Sequence, residues 1–131
     1  MILSPLPAIM IEQAVRAALL EDLGRAGDIT SDAVIPAAAR ARVALLAREP
    51  GVVAGLDFCK FAFTLIDPEI SFKPRVADGA RVAPGDILAD ISGPARGILT
   101  AERVGLNFLG HLSGIASATR GIADSIAHTR V

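Results

Sequence analysis

The chain has 131 residues, 52% hydrophobic and 21% charged, which is enough for one domain with a true core and excludes a disordered tail. A formal net charge of −1 and the lack of Tyr and Trp leave no basic or base-stacking surface for nucleic acid. No apolar run approaches the roughly 18 residues that span a bilayer, the first residues lack a basic secretory start, and the lone Cys59 has no partner for an internal disulfide, so a cytoplasmic protein is expected.

In chain order, residues 8 to 20 predict an amphipathic helix, with Ile11, Ala14, Val15, Ala18 and Leu19 on one stripe and Glu12–Arg16 as an i, i+4 pair outside. Its end is expected near Asp22-Leu23-Gly24. A polar loop follows through Asp32, with Asp28, Thr30 and Ser31 able to cap a short turn before Pro36. Period-two alternation from Ala41 to Arg48 predicts a strand with Val43, Leu45 and Ala47 on one face. A turn at Glu49-Pro50-Gly51 and a short buried strand, Val52-Val53-Ala54, come next.

A second helix is predicted over about Gly55 to Ile66, with Cys59, Ala62, Phe63 and Ile66 on one stripe. No residue near Cys59 is placed to act as its base, so it is a small core residue. Ile70, Phe72, Pro74 and Val76 alternate as a strand, and Pro74, lacking a donor, assigns it to a sheet edge. Asp78-Gly79 is a hairpin signal, Pro84-Gly85 and Gly93-Pro94 mark further turns, and Ile87, Ala89 and Ile91 alternate between these last two. The order predicts an α+β fold, with helices covering one face of a mostly antiparallel sheet.

Thr100 is the expected N-cap of a third helix, with Glu102 in its first turn; the helix is expected to run to about Ser113-Gly114, after which a helical pattern resumes to about Ala127. At 3.6 residues per turn, Val104, Phe108, Leu112 and Ile115 lie to one side of Arg103, and Leu106 and Leu109 to the other. Asn107, Gly110 and Gly114 share a narrow strip with Arg103, and His111 sits at its margin. A helix so apolar is expected to be largely buried, and a buried arginine is costly unless it meets an anion. Two readings stand on residue chemistry. Either Arg103 makes a structural salt bridge to Glu102 or Asp124 while the glycines serve packing, or its planar fork receives a carboxylate or phosphate.

Leu99-Thr-Ala-Glu-Arg-Val-Gly-Leu-Asn-Phe-Leu-Gly-His-Leu-Ser-Gly-Ile-Ala resembles the connecting helix of the quinolinate phosphoribosyltransferases, also called nicotinate-nucleotide pyrophosphorylases. Leu20-Glu-Asp-Leu-Gly, Gly27-Asp-Ile-Thr-Ser, Ala47-Arg-Glu-Pro-Gly-Val-Val-Ala-Gly-Leu and Asp78-Gly-Ala-Arg-Val-Ala-Pro-Gly-Asp resemble family segments in family order, so the likeness runs over about residues 10 to 129. The resemblance implies an N-terminal α/β sandwich over 1–99, a connecting helix region over 100–127 and the start of an open α/β barrel at 128–131. It also implies a homodimer that joins pyridine-2,3-dicarboxylate (quinolinate) to phosphoribosyl pyrophosphate, releasing pyrophosphate and CO2 to give nicotinate mononucleotide for NAD synthesis.

In the family the Glu-Arg arginine reaches the neighbouring subunit's substrate, which assigns Arg103 to substrate binding, with Asn107 and His111 as secondary candidates near that site. The remaining cationic and acidic site residues belong to the barrel, so no catalytic residue and no metal ligand is expected in this chain. Mg2+ is expected to arrive with the phosphoribosyl donor, and the chain by itself is expected to be inactive.

Three other readings are weaker. A paralogue of the same architecture associated with molybdenum transport shares the N-terminal pattern. A carrier domain of biotinyl or lipoyl type shares the Gly/Pro turn spacing, but it needs a lysine at a hairpin tip and Lys73 lies inside a strand. A stand-alone dimerisation module leaves Arg103 unexplained. The mean hydropathy of +0.51 predicts that part of the surface is covered by a partner or a further domain. The ending Ala127-His-Thr-Arg-Val, with no capping residue, is expected to interrupt an element.

Overall fold

The computed structural model describes residues 6–26 and 35–129. Within them the chain is α+β, with element order α1 (Ala8–Ala26), β1 (Arg40–Leu46), β2 (Gly51–Val52), α2 (Leu56–Ile66), β3 (Ser71–Pro74), β4 (Arg81–Val82), β5 (Ile87–Pro94) and α3 (Ala95–Thr129). β5 is the centre of an antiparallel sheet of order β1-β5-β3, and β2 pairs antiparallel with β4 in a separate small sheet.

Two apolar clusters stack the layers. The first joins the sheet (Phe72, Ala89, Ile91) to Cys59 and Phe63 of α2 and to Ile98, Ala101 and Leu109 of α3. The second sets Ile11, Val15 and Leu19 of α1 against Ala62 of α2 and Val104 of α3. Successive turns of α2 thus serve two neighbours: Cys59 and Phe63 face the sheet, and Ala62, lacking bulk, lets α1 approach. The predicted α1 stripe holds for Ile11, Val15 and Leu19, while Ala18 is half-buried and Ala14 is exposed. The Glu12–Arg16 pair is present at 2.8 Å.

Several sequence expectations need correction. Helix α1 does not stop at Gly24 but continues to Ala26, where a Glu21–Arg25 pair at 2.7 Å spans the last turn and Arg25 complements the carboxyl end of the helix dipole. The expected capping by Asp28, Thr30 and Ser31 lies outside the described residues. Asp78-Gly79 makes a turn, with Gly79 at φ 94°, but no hairpin, because β3 pairs with β5 and β4 with β2. The Asp78 carboxylate has another task. It accepts the backbone N–H groups of Gly55 and Leu56 at 3.2 and 3.1 Å, capping α2 from outside that helix.

Gly93-Pro94 is not a turn either; both residues belong to β5, opposite Ala41 and Arg40. Gly93 has φ 147°, and a Cβ there would meet the Cα of Ile70 at 2.9 Å, so the glycine permits close approach of backbone to backbone. Pro74 behaves as predicted, on the edge strand β3. The third helix starts at Ala95, directly after β5, and not at Thr100, and it runs through Ser113-Gly114 without a break to Thr129. The Thr100 hydroxyl donates to the carbonyl of Arg96 at 2.9 Å inside the helix, so it is no N-cap, and Glu102 lies past the first turn.

Helix α3 is tied to β2 and to the segment just after it by two serines four residues apart. Ser117 Oγ accepts from Val52 N at 2.9 Å and donates to Val52 O at 3.4 Å; Ser113 Oγ accepts from Ala54 N and donates to Ala54 O, both at 3.0 Å. Four helical residues rise about 6 Å, and two residues of extended chain span about 6.7 Å. The repeats match, and hydroxyls stand in for a neighbouring strand.

Candidate functional site

Between helices α1 and α3, beside the cluster that holds Val15 and Val104, lies an open groove of about 790 Å³. Ala18, Glu21, Asp22 and Arg25 form the α1 wall, and Arg103, Asn107, Gly110 and His111 the α3 wall. Val104, Leu106 and Phe108 supply apolar lining, and the Phe108 ring stacks on Phe58 of α2 with centroids 5.2 Å apart. The three predicted site residues, Arg103, Asn107 and His111, are therefore brought together on successive turns of one wall.

Arg103 itself differs from expectation. The helix does not bury it: the side chain is 67% exposed, and it pairs through Nη1 with Asp22 Oδ1 at 3.2 Å. Among the described residues the partner is Asp22 and not Glu102, which lies beside a smaller pocket against β1; the Asp124 side chain falls outside the described residues. Gly110 and Gly114 also open onto space, since a Cβ at either would have nothing within 4 Å. Among the described residues, no second backbone uses the room they leave.

Sequence reasoning missed Asp22. It sits seven residues after Val15 and four after Ala18, continuing the α1 stripe, and is 21% exposed. A carboxylate where a stripe calls for an apolar side chain signals a fixed cationic partner, and the spacing held that signal. Glu21 and Arg25, on the same wall, carry no signal in the sequence beyond their own i, i+4 pairing.

Cys59 is buried beneath the helices, and desolvation pushes its thiol up to about 12 from an ordinary 9.0, which makes it a poor nucleophile. Among the described residues no group of three or more His, Cys, Asp or Glu side chains could hold a metal ion. Lys73 pairs in register with Asp90 within the sheet, away from any hairpin tip, which removes the carrier-domain reading. Among the described residues no helix is long and apolar enough to cross a membrane.

The fold and groove define a small α+β module that presents an arginine from a long helix following the sheet. Residues 28–113 match the family described as Quinolinate phosphoribosyl transferase, N-terminal domain, and the chain belongs to that family. Among its relatives, a quinolinate phosphoribosyltransferase [decarboxylating] 1 of Nicotiana glauca is 36% identical over 91% of this chain and 34% of its own length. A nicotinate-nucleotide pyrophosphorylase [carboxylating] of Mycobacterium leprae is 39% identical over 88% of this chain and 42% of its own.

Solved structures agree. NadC from Streptococcus pyogenes superposes with TM-score 0.83 at 42% identity, covering 88% of this chain and 41% of that one. The nicotinate-nucleotide pyrophosphorylase from Francisella tularensis superposes at 0.87 and 29% identity, covering 95% and 43%. The chain thus spans between a third and a little over two fifths of the length of these relatives.

Proposed function

We propose that this chain is the N-terminal part of a cytoplasmic quinolinate phosphoribosyltransferase and that Arg103 contacts the substrate bound by a partner subunit. The reaction joins quinolinate to phosphoribosyl pyrophosphate and releases pyrophosphate and CO2, giving nicotinate mononucleotide. Both reactants are multiply anionic, so the site needs cations fixed before the reactants arrive. The observation that carries the reading is the presentation of Arg103: exposed on a groove wall and engaged at one nitrogen only among the described residues. Asn107 and His111, one and two turns further along, offer polar contacts on the same wall.

The groups that act on the bonds belong to the remainder of the enzyme, and Mg2+ enters with the phosphoribosyl donor. Delivery of Arg103 from a second copy would close the site against water and make a homodimer the active unit. In the complete enzyme, Arg103→Ala lowers kcat/KM for quinolinate about a hundredfold or more while the dimer stays folded. Mixing that variant with copies inactivated in the catalytic part restores activity, because each mixed dimer retains one site with both halves intact. Unchanged kinetics would remove Arg103 from the substrate; failure to restore activity on mixing would place its action within one subunit.

A further inference from the structure

We propose that Asp22 is a positioning residue that presets the Arg103 guanidinium, an inference that rests on the substrate-binding reading of Arg103. The two side chains come from helices 81 residues apart in sequence and meet at 3.2 Å. Their exposures are unequal: Asp22 is 21% exposed and Arg103 is 67% exposed, so the carboxylate is the more enclosed member and the arginine the more solvated one. A free arginine side chain carries about 2 kcal/mol of rotamer entropy, which an incoming anion would have to overcome. A pre-existing partner reduces that cost.

The geometry keeps the arginine usable. Asp22 Oδ1 meets Nη1, and the edge formed by Nε and Nη2 has no partner among the described residues. That edge carries two parallel donors, the arrangement that receives a carboxylate bidentately. Asp22 and an incoming anion therefore bind different edges of one fork, and do not compete. Helix α1 does not need the pair in order to pack, since Ile11, Val15 and Leu19 are buried against α2 and α3. The position is thus free to serve orientation.

Simple electrostatics makes the opposite prediction, which gives the test its force. Removing a negative charge beside an anion site should tighten anion binding. If Asp22 positions Arg103, Asp22→Asn instead raises the KM for quinolinate about tenfold with a smaller change in kcat, and Asp22→Glu recovers part of the loss. In an Arg103→Ala background the Asp22→Asn change adds nothing, because there is no guanidinium left to hold. The Arg103 Nη resonances, expected to be resolved in the wild type by the Nη1 contact with Asp22, collapse toward the free-arginine position in Asp22→Asn.

These measurements belong in the complete enzyme, with circular dichroism confirming the fold of each variant. A KM for quinolinate that is unchanged or lower in Asp22→Asn overturns the positioning role, as does a full Asp22 effect in the Arg103→Ala background. Should Arg103→Ala alone leave the kinetics intact, the substrate-binding reading fails and this inference falls with it. An impaired Arg103→Ala beside an unimpaired Asp22→Asn rejects the positioning role only.

Discussion

Along one side of α3, Ile98, Ala101, Val104 and Leu109 are buried against the sheet, α2 and α1; along the other, Arg103, Asn107, Gly110 and His111 line the open groove. Apolar side chains are not confined to the first side, for Leu106 and Ile115 are exposed. Apolar content therefore does not separate the two faces; what lies against each one does. The filled face has neighbours within this chain, and the open face carries polar groups suited to a ligand.

The largest test of that contrast is Phe63→Ala, which empties the ring packed beneath the filled face against Phe72 and Gly105. A loss of about 3–5 kcal/mol is expected in denaturant unfolding; a loss below about 1 kcal/mol would mean that the face is loosely packed. Gly105→Val comes next. A Cβ at Gly105 would meet Phe63 Cε2 at 3.0 Å and Cys59 Sγ at 3.3 Å, so the larger side chain costs about 1–3 kcal/mol. Gly110→Ala, five residues on and facing the groove, meets nothing within 4 Å and should stabilise by about 0.5–1 kcal/mol through helix propensity. Opposite signs for the two glycines would sharpen the contrast, and equal signs would break it.

The smallest effect concerns Cys59 on the filled side. Because its thiol titrates near 12 when folded and near 9.0 when free, the neutral form is favoured in the folded state. Its contribution to stability is full below about pH 9 and is lost as pH rises from there toward 12. At neutral pH a thiol reagent should label Cys59 only as fast as the chain unfolds; rapid labelling of the native state would contradict its burial.

Period and composition make most of this fold legible: the stripes of α1 and α2, the edge position of β3, and the strip joining Arg103 to Asn107 and His111. The failures share a cause. Asp78-Gly79 and Gly93-Pro94 carry turn residues, yet what decides their roles lies far off in sequence, at the open N–H groups of Gly55 and Leu56 and at the backbone of Ile70. Thr100 has the chemistry of a cap, but β5 delivers the chain straight into the helix at Ala95, leaving no end for Thr100 to cap. Arg103 stands out from its own helix and Asp22 breaks the apolar stripe of α1, but pairing across 81 residues leaves no local pattern that joins the two.

The two serines on α3 bear on more than the small sheet they complete. A helix packed by hydrophobic contact alone can roll about its axis at little cost, since one methyl group substitutes for another. Ser113 and Ser117, bonded through donor and acceptor to fixed backbone groups at Val52 and Ala54, allow no such roll, and act like a key in a shaft. A turn of one residue would move Arg103 by about 100°, out of the groove and away from Asp22. The azimuth of the arginine is thus set by hydroxyls further down the same helix, where no substrate contact is proposed.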